Sequence, residues 1–205
     1  IKFALEKIKK GLSHEDFHSF IKIKNEDGEN LLHCACHKNR GETIEFLISF
    51  TKSEVDSETF KQMLSDHDNF KYLPIHRALS VYNPQLFKNF FALYEQNFQP
   101  MEILQFLTAK DKNGDNFLQY ATDHSKNIEV FEFVLKKIEN LFNDNEEMKK
   151  ILLIKGKYRG NILLQSVSSH KTIFCYLLEH VFCKYFKIKE FAYETNDMDK
   201  HGENI

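Results

Sequence analysis

One eleven-residue pattern returns along this chain at nearly constant spacing, and a chain that repeats itself has few ways to fold. It first stands as Asn25-Glu26-Asp27-Gly28-Glu29-Asn30-Leu31-Leu32-His33-Cys34-Ala35. It returns as Asp68-Asn69-Phe70-Lys71-Tyr72-Leu73-Pro74-Ile75-His76-Arg77-Ala78, then as Asp111-Lys112-Asn113-Gly114-Asp115-Asn116-Phe117-Leu118-Gln119-Tyr120-Ala121. A worn copy follows at Lys157-Tyr158-Arg159-Gly160-Asn161-Ile162-Leu163-Leu164-Gln165-Ser166-Val167, and Asp199-Lys200-His201-Gly202 opens another. Aligned on the glycine position (28, 71, 114, 160, 202), the steps are 43, 43, 46 and 42 residues. A period of this size predicts stacked copies of one supersecondary unit, each burying its apolar face against the next.

The form D-x-x-G-x-x-x-L-H-x-A resembles the start of an ankyrin repeat. The resemblance implies a tight turn at Gly28, Gly114, Gly160 and Gly202, where a residue without Cβ takes positive φ. A short inner helix then begins at the Leu-His or Leu-Gln pair. It also implies that His33 and His76 tie neighbouring turns together through backbone hydrogen bonds. Gln119 and Gln165 depart from His but keep a donor and an acceptor. Pro74 alone supplies the proline favoured at the first helical position.

Each copy is preceded by a further apolar stripe. Phe17, Phe60, Ile103 and Phe191 stand eleven residues before the turn position; Phe20, Met63, Phe106 and Leu152 stand eight before; Ile21, Leu64, Leu107 and Leu153 stand seven before. Spacing of three and four residues is a buried helical face. The units therefore carry a third helix beyond the two of an ordinary ankyrin repeat. The expected fold class is all-α, an ankyrin-like solenoid with an added helix per repeat. Inner helices are expected over 31–38, 74–81, 117–123 and 163–169, and outer helices over 43–50, 84–94, 128–141 and 172–183. The polar stretch 140–149 reads as a surface connection. A partial unit covers 1–12, units follow at 13–54, 55–97, 98–143 and 144–185, and another starts at 186. HEAT and armadillo arrays share the period but lack the Asp-x-x-Gly turn leading into Leu-His-x-Ala.

With 28 Lys and Arg against 30 Asp and Glu, the chain has no basic field to hold nucleic acid. No apolar run is long enough to span a bilayer, so no membrane partner is expected. Two of the four cysteines, Cys34 and Cys36, lie one residue apart on a helix, a poor start for a disulfide framework. Reduced thiols and an intracellular location are the simpler expectation. A sequence that opens on Ile1 and has both ends inside a repeat is expected to be part of a longer protein.

His14-Glu15-Asp16-Phe17-His18 satisfies H-E-x-x-H, in which two histidines one turn apart bind zinc and the glutamate activates water. Its context opposes a protease: Ser13 and Asp16 form a helix start, Phe17 belongs to the core stripe, and no third ligand follows in register. His33-Cys34-Ala35-Cys36-His37 holds soft ligands too, yet the repeat already gives His33 a structural role and makes Cys34 and Cys36 small packing residues. No metal, no cofactor and no catalytic residue is expected.

What remains is a binding surface. By the resemblance, partners are read by residues flanking the turn and ending the inner helix. The candidates are Phe70, Tyr72, His37, Lys38, Asn113, Asp115, His124, Tyr158 and Arg159. Phe70 and Tyr72 flank a lysine where glycine is expected, and exposed aromatics beside Tyr158 and Arg159 have hot-spot composition. The expected function is recognition of a partner protein; the Lys, Asn, Ile and Phe bias, reminiscent of ankyrin effectors of intracellular bacteria, adds a host protein as target. The competing expectation is the substrate-selecting region of a larger enzyme, a protease or transferase whose catalytic domain lies elsewhere.

Overall fold

The apolar stripes become helices wherever the chain is described. The computed structural model describes residues 2–36, 41–80, 83–125, 127–142, 144–157 and 160–186. Its regular structure is all-helical, apart from one isolated bridge between Gly156 and Gly160. The chain divides into two compact units, Ile1–Phe98 and Gln99–Ile205.

The first unit contains α1 (Lys2–Gly11), α2 (His14–Ile21), α3 (Leu31–Cys36), α4 (Gly41–Glu54), α5 (Ser57–Ser65), α6 (Pro74–Ala78) and α7 (Pro84–Asn97). The helix starts follow from side-chain chemistry. Ser13, Asp56 and Asn83 each accept a hydrogen bond from the first turn of the following helix, and Pro84 fills a position whose N–H would go unused. The inner helix α3 packs on α4 and α6, and α6 packs on α7. Phe17, Phe60, Phe87, Phe90 and Phe91 are buried, each contributing roughly 1.5–3 kcal/mol of transfer free energy. Tyr94 is buried too; its hydroxyl donates to the Leu64 carbonyl at 2.7 Å and accepts from the Ile75 amide, so its polar tip is satisfied.

The second unit contains α8 (Pro100–Thr108), α9 (Phe117–His124), α10 (Ile128–Leu141), α11 (Asn145–Leu152), α12 (Ile162–Ser169) and α13 (Lys171–Tyr176), which continues through a π-helical stretch (Leu177–Phe182) into α14 (Cys183–Tyr185). Here α12 packs along α9, and α10 packs on both α8 and α9. Phe117, Leu118, Phe131, Val134, Leu163 and Ile173 lie in its core.

Two expectations need correction. Most of the polar stretch 140–149 is not a connection: Asp144 caps α11, whose Met148, Ile151 and Leu152 are buried. The worn fourth copy is also displaced by one residue. The residues that accept the first-turn amides of the inner helices are Asn30, Asn116 and Asn161, with Leu73 in the same place before Pro74. Their steps are 43, 43 and 45 residues. In this register Met148, not Phe191, joins Phe17, Phe60 and Ile103, and all four are buried. Likewise Ser166 is buried where Ala35, Ala78 and Ala121 stand, while Val167 is 48% exposed. Gly160 misleads the eye because it occupies the place of Glu29, Tyr72 and Asp115. Phe191 itself lies outside the described residues.

Candidate binding surface

The turns before the inner helices share one construction. Asn25, Asp68 and Asp111 each place Oδ1 under the amides two and four residues ahead, at 2.6–3.1 Å. Their own amides donate to the carbonyls of Glu29, Tyr72 and Asp115. Closing so tight a loop needs positive φ at the fourth residue, which Gly28 (76°) and Gly114 (80°) adopt freely. Lys71 adopts it too, at 65°, the one non-glycine residue to do so among the described residues. The fourth turn lacks the carboxylate or amide brace because Gly156 stands in its place. A Cβ there would lie 1.7 Å from Asp115 Oδ1, so the neighbouring turn occupies the space a side chain would need.

Adjacent turns are tied within each unit. Asn69 N–H donates to the Asp27 carbonyl at 2.8 Å, and Lys157 N–H to the Asn113 carbonyl at 2.7 Å. His33 Nε2 meets the Tyr72 carbonyl at 3.0 Å, and Gln119 Nε2 donates to the Gly160 carbonyl at 3.2 Å. Since Tyr72 and Gly160 hold the same place, a glutamine here performs the task of the histidine. Burial lowers the His33 pKa, against the opposing pull of the Tyr72 carbonyl and nearby carboxylates. His76 accepts from the Leu73 amide at 3.0 Å and is lowered to about 3 by burial, with the positive fields of His67 and His33 adding to it. Gln165 does not repeat the role of Gln119. It lies one residue further along its helix and donates to the Gln119 carbonyl and to Asp123.

The first unit's surface is organised by a residue that sequence reading passed over. Arg77 Nη2 lies 3.0 Å from Glu29 Oε1 and 2.7 Å from Asp68 Oδ2, bridging two turns, with both carboxylates buried. Its guanidinium lies 5.1 Å from the centre of the Tyr72 ring. Tyr72 also packs on His76 and stacks with Phe70, their ring centres 6.0 Å apart. The expected aromatic pair therefore divides: Tyr72 is half-buried and fastened, while Phe70 is 47% exposed at the tip. The available signal was the charge of Glu29, Asp68 and Arg77 beside the repeated positions, which is unusual for residues that end up inside.

In the second unit Asn113 is exposed, and its carbonyl is committed to Lys157. Asp115 is half-buried against Gly156. His124 is exposed, stacked on Tyr120 at 3.9 Å and bonded through Nδ1 to the Tyr120 carbonyl. Asp123, joined to Gln165 and Ser169, is the polar centre here. His37, Lys38, Tyr158 and Arg159 lie outside the described residues.

Cys36 is buried and pushed up to about 12, and burial followed by the Glu29 charge raises Cys34, so both thiols resist ionisation. A cleft of about 230 Å³ in the second unit is lined by Glu139, Phe142, Met148, Lys184 and Tyr185. Its Glu139 carboxylate is engaged by Lys184 at 2.9 Å and Tyr185 at 2.7 Å. Among the described residues no group of three or more His, Cys, Asp and Glu is placed to hold a metal ion, and no helix is long and apolar enough to cross a membrane.

No protein-family model matches the chain, and no curated protein matches it significantly.

Proposed function

We propose that the chain is an array of ankyrin-like units, each with an added helix, and that it recognises a partner protein through its turn tips and the adjoining inner helices. Phe70 carries this reading: a large aromatic ring held outside the core, on a turn whose backbone is fastened by Asp68, Asn69 and Arg77. A rigid exposed ring loses little entropy on binding and has the composition of an interface anchor. The recurrence of the same turn bonds at steps of 43 and 45 residues supports the repeat reading, and steric fastening of each tip suits a preformed surface. His124, Asn113 and the Asp123 edge provide a polar counterpart in the second unit.

The test is a pull-down with the wild-type chain and Phe70→Ala, followed by titration of any captured protein in purified form. Phe70→Ala should weaken that protein at least about tenfold, as interface anchors do, while leaving the melting temperature unchanged. Tyr72→Ala is expected to lower the melting temperature as well, since its ring packs on Arg77 and His76. Undiminished binding by a folded Phe70→Ala chain would remove the tip from the interface.

A further inference from the structure

We propose that His14 and His18 form a two-imidazole site for a borderline divalent transition-metal ion, of the nickel and zinc class, on the outer face of α2. The two rings lie one helical turn apart with centres 4.3 Å from each other and planes inclined by 33°. The rest of the helix fixes that face outward: Phe17 and Ile21 are buried, each 2% exposed, so their anchoring sets the rotation of α2. His14 is exposed and His18 half-buried. Neither ring makes a hydrogen bond among the described residues, so their nitrogens are not committed to the fold. Imidazole is the preferred ligand of this metal class, and two held at one spacing gain from chelation what one alone cannot. The neighbouring carboxylates of Glu15 and Asp16 lower the cost of bringing a cation to a helix start. Asp16 is itself engaged by the Ser13 hydroxyl. With no third protein ligand placed among the described residues, water completes the coordination. The site therefore binds metal without the ligand set that zinc hydrolysis requires.

The experiment is a Ni²⁺ titration of the intact chain, followed by calorimetry and by paramagnetic broadening of backbone amide signals. One ion should bind per chain, with broadening centred on His14–Ile21, and Zn²⁺ should displace it. His14→Ala and His18→Ala should each weaken binding at least about tenfold by destroying the chelate. Both side chains lie outside the core, so each variant can be checked for an unchanged melting temperature before titration. Equal affinity in either folded variant, broadening centred elsewhere, or no binding at millimolar Ni²⁺ would overturn the assignment.

Discussion

The turn pair of the first unit and the turn pair of the second make the same backbone connections with different chemistry. In the first, an imidazole reaches the next turn's carbonyl and a guanidinium joins carboxylates from both turns. In the second, the Gln119 amide reaches the next turn's carbonyl, and the uncharged Gln165 amide joins α12 to α9 through the Gln119 carbonyl and the Asp123 carboxylate. Arg77 and Gln165 even hold the same place, four residues after Leu73 and Asn161. The geometry thus asks only for a donor of the right reach. Whether that donor carries charge decides how the unit responds to mutation and to pH.

The largest effect should come from Arg77→Ala. It leaves Glu29 and Asp68 buried without their cation, a change that typically costs about 3–5 kcal/mol. Gln165→Ala removes an uncharged donor bonded to one carbonyl and one carboxylate, at a smaller cost of about 1–3 kcal/mol. Its Oε1 already lacks a partner among the described residues, which lowers the loss further. Native-state hydrogen exchange can read both on the intact chain, with Arg77→Ala loosening amides of the first unit most. Equal losses in the two variants would mean that charge adds nothing to the connection.

Acid should separate the units next. His33 and His76 have pKa values lowered by burial, so they are neutral when folded and take up protons readily when unfolded. Stability from their neutral burial is therefore full above the unfolded value of about 6.5 and lost as pH falls. For His76 the loss continues towards about 3, at roughly 1.4 kcal/mol per pH unit for each such residue. His67, also lowered by burial, adds to the same slope. Glu29 and Asp68 face this group and are held by Arg77. Gln119 does not titrate. Opening free energies from amide exchange, corrected for the intrinsic rate at each pH, should fall more between pH 7.5 and pH 5 in α3 and α6 than in α9 and α12, and His33→Gln should flatten part of that difference. A uniform response would break the contrast.

These differences explain what the sequence disclosed and what it hid. Helical class was legible because the apolar stripes recur at spacings of three and four, and Phe17, Phe60 and Ile103 are indeed buried alike. The fourth copy was misaligned because Gly160 looks like the turn glycine, whereas the cap residue Asn161 sets the register. Met148 and Ser166 were the clues, each in the place of a larger or smaller apolar residue. Arg77 escaped notice because its burial depends on two carboxylates, and one of them belongs to the preceding copy. A single-copy pattern cannot show a bridge between copies. Phe70 and Tyr72 flank one turn, yet only side-chain packing distinguishes a ring that faces outward from one pinned under a guanidinium.

The smallest effect, and the finest test, concerns the turn itself. Lys71 and Gly114 occupy one position with φ of 65° and 80°. For a residue with Cβ this conformation costs roughly 1–2 kcal/mol. Lys71→Gly relieves that strain but gives the unfolded chain more freedom, an offset of about 0.4–1 kcal/mol. The net gain should be about half a kcal/mol or slightly more. Gly114→Ala isolates the strain in reverse, because the added Cβ would meet Lys157 N at 3.6 Å, an ordinary contact. After the same unfolded-state offset it should cost about half a kcal/mol or slightly more. Denaturant titration of both variants at constant m-value reads the two changes against each other. Destabilisation by Lys71→Gly would show that the lysine side chain contributes more at its tip than its backbone strain removes, and the two turns would then differ in more than the residue at the bend.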